Sequence, residues 1–156
     1  YAFPHPGVTH LQAPTSIASR PHPAQAPNTL LWHNGLFQPS GIAAMQRATE
    51  STSEWDTALI ALAVSRGFDS AAFLELGKIA GSFACIAYVD SRLYAFRNAI
   101  APLYVDAYRL DTLSSVPVGD VSAELKPGVV YTFWDDGGQW RETSYRFENS
   151  HNPYGI

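Results

Sequence analysis

The sequence predicts one domain of the α+β class, built mainly from antiparallel strands, and three observations lead to this. The chain has 156 residues, of which 46% are apolar and 15% charged, enough to form a hydrophobic core without a disulfide or a metal. Apolar residues at helical spacing occur in the middle of the chain, between residues 53 and 78. Beyond Gly81, short β-prone runs alternate with turn signals. Helices and strands that follow each other in separate blocks of the chain, and do not alternate, are typical of α+β domains.

The N-terminal part is rich in proline, with seven of the eleven prolines at or before Pro39. Proline removes a backbone donor and disfavours helix just before itself, so we expect residues 1–28 to form extended segments and loops. Residues 29–33 predict a short strand, and the dipeptide Asn34-Gly35 predicts a turn after it. Residues 38–44 are expected to form a loop.

Two helices are predicted in the middle of the chain. The first spans residues 53–66, with Ser53 as its N-cap and Asp56 three residues later in a capping-box position. Gly67 ends it, and a turn of three residues leads to a second, shorter helix at residues 70–78.

The second half of the chain predicts strands, the first two joined in a hairpin at Asp90-Ser91-Arg92. We expect the domain to end near residue 148 (1–148) and residues 149–156 to form an irregular tail. In chain order the predicted strands are residues 82–89, 93–97, 103–107, 109–115, 129–134 and 139–147.

Charge and cysteine content exclude several classes of function. A net charge of −4 gives no bulk positive field for nucleic acid or an anionic membrane. No apolar run approaches the ~18 residues of a membrane span. The single cysteine, Cys85, permits neither an internal disulfide nor a cysteine-based zinc site, and we expect it to be a buried core residue. The early histidines lack helical ligand spacing, so no metal site is predicted. A lone thiol without a signal-peptide pattern is expected of a cytoplasmic protein.

Several short segments between about Val8 and Trp134 match, in one order, the motifs of a known family. The chain resembles the glutaminase domain of class II glutamine amidotransferases, which are N-terminal-nucleophile hydrolases such as asparagine synthetase and glucosamine-6-phosphate synthase. The matching segments are residues 9–16, His22-Pro23, Trp32-His33-Asn34-Gly35, Trp55-Asp56-Thr57, residues 81–90, residues 93–98, Ala101-Pro102-Leu103-Tyr104, Leu113-Ser114-Ser115 and Leu125-Lys126-Pro127-Gly128.

The resemblance implies a four-layer αββα sandwich and a glutaminase site. In the family an N-terminal cysteine attacks the side-chain amide of glutamine, and its own α-amine serves as the base. By position, the side chain of Asn34 and the backbone N–H of Gly35 would form the oxyanion hole. Asp56 would pair with the α-ammonium of the ligand, and Thr15 and His22 would line the pocket.

Two of these assignments also have a purely structural explanation. Asn-Gly is a common turn dipeptide, because both residues tolerate positive φ. An aspartate at the start of a helix is favoured by the helix dipole alone. The structural and functional roles of Asp56 are compatible with each other.

The chain departs from the family at positions that the glutaminase reaction uses. It begins with Tyr1, whose phenol is too weakly acidic and too far from its own amine to be a nucleophile of this class. Gln12 stands where the family has the arginine that binds the carboxylate of the ligand, and an amide cannot make that bidentate ionic contact. Asn98 replaces the aspartate of the family's Arg-Asp pair.

Two hypotheses follow. In the first, which the departures favour, the domain has lost glutaminase activity and acts as a binding or structural module, with a protein partner or by self-assembly. Short stand-alone relatives occur in bacteriophage genomes, so the resemblance implies virion association besides a cytoplasmic location. In the second, the domain is an active amidase for glutamine or a related small amide, with its nucleophile upstream of Tyr1. Neither hypothesis requires a cofactor.

Overall fold

Two antiparallel sheets form the centre of the computed structural model, which describes residues 7–8, 10–11, 17–117, 120–134 and 136–149. The large sheet has the strand order β1-β2-β3-β4-β8-β9, and the small sheet has the order β6-β5-β7. In chain order the strands are β1 (Ala24–Ala26), β2 (Thr29–Phe37), β3 (Gly81–Val89), β4 (Arg92–Arg97), β5 (Tyr104–Asp106), β6 (Leu113–Ser114), β7 (Ser122–Glu124), β8 (Val129–Trp134) and β9 (Gln139–Arg146).

Three helices cover one face of the large sheet, and the small sheet covers the other. The helices are α1 (Pro39–Thr49), α2 (Asp56–Ser65) and α3 (Ala71–Glu75), and α3 continues into a 3₁₀ turn at Leu76–Lys78. The α+β class with mostly antiparallel sheets is thus confirmed. The described residues supply three layers of the expected sandwich: helices, large sheet and small sheet. No helix among them is long and apolar enough to cross a membrane.

Strand alternation divides the hydrophobic core into two parts. Successive side chains of a strand point to opposite faces, so Phe83 and Phe96 face the helices while Ala84 and Ala95 face the small sheet. The helix-side core is aromatic: the ring of Phe73 lies 5.0 Å from that of Phe68, 5.2 Å from Phe96 and 5.5 Å from Phe147, in edge-to-face arrangements. The core between the sheets mixes aliphatic side chains, among them Leu103 and Leu125, with Tyr131 and Trp140.

The helix predictions were partly wrong. The expected loop at residues 38–44 is the first half of α1. Pro39 occupies the first turn of this helix, where its missing N–H has no intrahelical partner to lose. Ser53 does not cap α2, because the helix begins only at Asp56, after Trp55 as N-cap. The Ser53 hydroxyl instead accepts a hydrogen bond from the Trp55 N–H in the preceding turn.

The strand predictions also needed correction. The dipeptide Asn34-Gly35 is not a turn, because β2 continues to Phe37 and stays paired with β3 along its whole length. The strand expected at residues 109–115 is reduced to Leu113–Ser114. The chain turns before it, where the Asp106 carboxylate accepts hydrogen bonds from two successive backbone N–H groups. The hairpin between β3 and β4 is confirmed.

Phe73→Ala is expected to lower the free energy of unfolding by about 3–5 kcal/mol, because it leaves a cavity among the fully buried rings of the helix-side core. Urea unfolding followed by circular dichroism measures this. Leu74→Ala is the matched control: Leu74 is the next residue of α3 but is 37% exposed, so its change should stay below about 1 kcal/mol. Equal losses in the two variants would contradict the assignment of this core.

Candidate ligand-binding site

A cavity of about 300 Å³ opens at the edge of β2, between this strand, the start of α2 and the segment before β1. The structure brings four of the predicted site residues, Asn34, Gly35, Asp56 and His22, to the wall of this edge cavity. Gln12 and Thr15 lie outside the described residues. The other lining residues are His10, Leu11, Ser19, His33, Trp55 and Thr57.

The edge cavity exists because β1 is short. It pairs with β2 only from Thr29 to Leu31, so the rest of that edge has no strand neighbour among the described residues. Along this edge the carbonyl oxygen of His33 accepts a hydrogen bond from Nε2 of His10 at 3.2 Å, and the N–H of Phe37 donates to Asp56 at 3.2 Å. Backbone groups of alternate residues in a strand point to the same side. The N–H of Gly35, between these two residues, is therefore directed into the cavity.

Gly35 is required by the close approach of β3. Its φ of +143° disfavours other residues, and a Cβ atom there would lie 2.1 Å from the carbonyl oxygen of Ser82. The same Cβ would lie 2.8 Å from Nε2 of His33. Residue 35 therefore contributes only its backbone to the cavity wall.

Asp56 is anchored at the start of α2 with its carboxylate only 13% exposed. Oδ2 accepts from the N–H of Phe37 at 3.2 Å, and Oδ1 accepts from the N–H of Thr57 at 2.8 Å. Burial raises the pKa of Asp56, but the hydrogen bond and charge of His33 and the two backbone donors outweigh it, so the pKa lies below its usual value. Asp56 therefore presents a negative charge to the cavity at neutral pH.

Thr57 joins the polar side chains of the edge cavity into one network. Its hydroxyl oxygen lies 3.2 Å from Nδ1 of His33, 3.3 Å from Nε2 of His22 and 3.4 Å from Oδ1 of Asp56. Nε2 of His33 donates to the carbonyl oxygen of Ser82 at 3.2 Å, so this nitrogen carries a hydrogen. Thr57 is 1% exposed, so it positions its neighbours and does not itself face a ligand.

The ring of His22 lies between two other rings. Its centroid is 4.2 Å from that of His10 and 5.6 Å from that of Trp55. Burial, together with repulsion from His10 and His33, lowers the pKa of His22 to about 4, although Asp56 acts in the opposite direction. His22 is therefore uncharged at neutral pH, and Asp56 is not neutralised by it.

Asn34 lies at the rim of the edge cavity. It is exposed, and by strand alternation its side chain projects to the opposite face of β2 from the side chain of His33. The oxyanion-hole role of the Asn34 amide stays a prediction.

Sequence reasoning assigned no role to His10, His33, Trp55 and Thr57, which also line the cavity. Three of them stand next to a predicted site residue in the chain: His33 precedes Asn34, and Trp55 and Thr57 flank Asp56. That adjacency was the available signal. His10 is not adjacent to a predicted site residue, and the available signal was its position in the first segment that matches the family.

The edge cavity offers neither a cationic side chain of lysine or arginine nor a metal-binding arrangement of its histidines and Asp56, as far as the described residues go. Its lining, among the described residues, contains no lysine or arginine. The part of the chain that the structure describes also contains no group of three or more His, Cys, Asp or Glu residues arranged to hold a metal ion.

Comparisons with solved structures identify the fold. The glutamine phosphoribosylpyrophosphate (PRPP) amidotransferase of B. subtilis, complexed with ADP and GMP, matches 92% of this chain with a TM-score of 0.57 and 15% identity. A glutamine aminotransferase class-II domain protein from Silicibacter pomeroyi matches 83% of the chain with a TM-score of 0.53 and 20% identity. The allosteric regulatory enzyme of purine biosynthesis matches 83% with a TM-score of 0.50 and 14% identity.

This chain spans 35%, 72% and 32% of the lengths of those three proteins, respectively. No protein-family model matches the sequence, and no curated protein matches it. At these identities the comparison establishes a shared fold. It confirms the fold expected from the resemblance to class II glutamine amidotransferases.

His22→Asn is expected to flatten the pH dependence of stability between about pH 6.5 and about pH 4. In that range the unfolded chain binds a proton at His22 that the folded chain does not, so acidification destabilises the wild type. Urea unfolding of both proteins across this range measures the difference. The pKa of Asp56 lies below 3.8, so this carboxyl titrates outside the window. Parallel pH profiles would contradict a buried, neutral His22.

Proposed function

We propose that the domain binds a small amide that carries an amine in the edge cavity, and that it acts as a binding module without hydrolysing this ligand. The observation that carries the proposal is the placement of an ionised carboxylate, Asp56, and a directed backbone donor, Gly35, around one small cavity. A carboxylate attracts an ammonium group, and an N–H at an open strand edge binds a carbonyl oxygen. A protein partner and virion association stay predictions from the sequence.

The spacing of the two groups indicates the kind of amide. Phe37, whose N–H holds the Asp56 carboxylate at 3.2 Å, is two residues beyond Gly35 in β2. Two residues of a strand span about 7 Å. A ligand with its amine and its amide on the same carbon is too short to reach both the Gly35 N–H and the Asp56 carboxylate. An amide separated from its amine by three carbons, as in glutamine, has a suitable reach.

The carboxylate of glutamine has no ionic partner among the described residues of the cavity. The basic side chains in the described part of the lining are imidazoles, and burial keeps His22 neutral. An unpaired carboxylate gains little from entering such a site. The amine and the amide are therefore the groups that the cavity recognises.

Among the described residues, Cys85 and Thr57 carry a thiol and a hydroxyl in or near the site, and neither is suited to be the nucleophile of a glutaminase. The single cysteine of the chain, Cys85, is 1% exposed in the helix-side core. Burial, and secondarily the charge of Asp56, raises the pKa of the Cys85 thiol, so the reactive thiolate is disfavoured. The Thr57 hydroxyl is buried and occupied by three neighbours.

A second candidate function is an active amidase, favoured by the donor at Gly35 and the carboxylate at Asp56. Here a residue upstream of Tyr1 would attack the amide carbon, ammonia would leave, and water would release the carboxylic acid. Incubation of the protein with glutamine and measurement of ammonia distinguishes the two functions. Ammonia release that stops in Asp56→Asn would establish the amidase and overturn the binding module.

Asp56→Asn is expected to weaken the binding of glutamine at least tenfold, because a neutral amide cannot compensate the charge of an ammonium. Isothermal titration calorimetry measures the affinities, and circular dichroism checks that the variant is folded. Asp90→Asn is the matched control: Asp90 is an exposed residue at the far end of β3, and its positive φ is tolerated by asparagine. Glutamine binding that is absent in the wild type, or equally strong in Asp56→Asn, would refute the proposal.

4-Aminobutanamide, which is glutamine without its carboxylate, is expected to bind within about threefold of glutamine, because no lysine or arginine in the described lining recognises the carboxylate. Calorimetric titration of both compounds tests this. Glutamate is a useful counterpart: replacing the amide by a carboxylate brings a further negative charge into the cavity of Asp56 and should weaken binding. A preference for glutamine of a hundredfold or more would show that a cation outside the described residues holds its carboxylate.

A further inference from the structure

A second cavity, of about 320 Å³, lies on the other side of the open edge of β2. We name it the apolar cavity after the side chains that line it between the two sheets. Trp32 and Ile86 contribute from the large sheet, and Leu103 and Leu113 contribute from the region of the small sheet. Lysine, arginine and carboxylate side chains are absent from the lining that the structure describes. This composition is suited to an apolar group and not to an ion.

The apolar cavity adjoins the candidate site. Four residues line both cavities: His10, Leu11, His33 and Asn34. Asn34 faces the space between the sheets and pairs in register with Ala84, which is also part of the apolar cavity. The next residue, Gly35, directs its N–H into the edge cavity. A molecule bound at Gly35 therefore has the apolar cavity within reach beyond Asn34.

We propose that the ligand is a γ-amide whose nitrogen carries an apolar substituent, and that the substituent occupies the apolar cavity. This inference rests on the proposed function. An amide group is planar and trans, so the acyl chain and the nitrogen substituent leave it in opposite directions. With the amide oxygen at the Gly35 N–H and the amine at Asp56, the nitrogen points away from Asp56. Asn34 lies on the side to which the nitrogen points. The apolar cavity, with Trp32, Ile86 and Leu113, lies beyond Asn34.

The alternative occupant, an unsubstituted glutamine, leaves the apolar cavity empty. Each cavity alone is at the lower limit of the ~300–1,000 Å³ that small-molecule sites commonly enclose. An N-substituted γ-amide uses both, with its polar end among the hydrogen-bonding groups and its apolar end removed from water. The binding gain comes from the buried apolar area of the substituent.

Calorimetric titration with γ-L-glutamyl-phenethylamide and with glutamine tests the proposal on the unmodified chain. Burying the phenylethyl group should make the substituted amide bind about ten- to a hundredfold more tightly than glutamine. N-Acetylphenethylamine, which has the same apolar group but no amine to pair with Asp56, should bind much more weakly than the γ-glutamyl compound.

Ser115→Trp provides a variant that fills the apolar cavity, since Ser115 is an exposed residue of its lining. It should remove the advantage of the substituted amide and leave glutamine affinity within about twofold. Thr112→Trp is the matched control, because Thr112 is exposed and close by in the chain but outside the lining. It should bind both ligands as the wild type does.

The outcomes separate this inference from the proposed function. Glutamine binding without any gain for the substituted amide refutes the inference and leaves the proposed function intact. Equal binding of N-acetylphenethylamine and the γ-glutamyl compound shows an independent apolar site and also refutes it. Loss of the gain in Ser115→Trp but not in Thr112→Trp supports it. Failure of every ligand to bind the wild type refutes the proposed function itself.

Discussion

The pairing of β2 with β3 is the constraint on which the rest of the structure depends. It runs without interruption from Thr29 to Phe37 on one strand and from Val89 to Gly81 on the other. This register decides which side chains of β2 face the helices, and it brings the Ser82 carbonyl so close to residue 35 that only glycine fits. Since β3 satisfies one edge of β2 completely, the other edge is left to the short β1 and to the polar side chains of the cavity.

The hydrogen bond between the Phe37 N–H and Asp56 connects this sheet to the helical layer. It satisfies a backbone donor at the open edge and places the start of α2 beside it. Thr57 and His33 extend the connection to the carbonyl of Ser82 in β3. A buried polar network of this kind is stable only when its members are satisfied together. The same groups that hold the helix against the sheet therefore shape the wall of the edge cavity.

The sequence allowed much of the fold to be predicted, because alternation and turn chemistry are local. Residues 129–134 form the strand that their β-branched and aromatic side chains indicate, and Asp90-Ser91 forms the expected hairpin with positive φ at both positions. Helix α1 was missed because Pro39 and Gly41 look like turn residues. In the structure Gly41 serves a close helix–sheet approach, where a Cβ would lie 2.4 Å from the Ala80 carbonyl oxygen. Such a tertiary contact leaves no periodic trace in a sequence.

The candidate site likewise depends on tertiary contacts that local sequence patterns do not reveal. Asn34, Gly35 and Asp56 could be selected by resemblance, and the structure places all three around one cavity. The turn expected at Asn34-Gly35 was wrong, because the glycine is needed for close approach of β3 and not for a change of chain direction. The network through Thr57 depends on contacts between residues that are 24 and 35 positions apart in the chain, which no local pattern encodes. The relation of Asn34 to two cavities likewise required the pairing of β2 and β3.

The separation of the core into a helix side and a space between the sheets has a spectroscopic consequence. All rings at the centre of the helix-side core are phenylalanines, whereas the four tryptophans, Trp32, Trp55, Trp134 and Trp140, are not among its fully buried members. Trp55 lies edge-on to His22 in the edge cavity, and Trp32 lines the apolar cavity. Each of the two cavities thus carries its own indole fluorophore, and the difference in emission between the wild type and a variant with Trp32 or Trp55 replaced by phenylalanine would report on that one cavity.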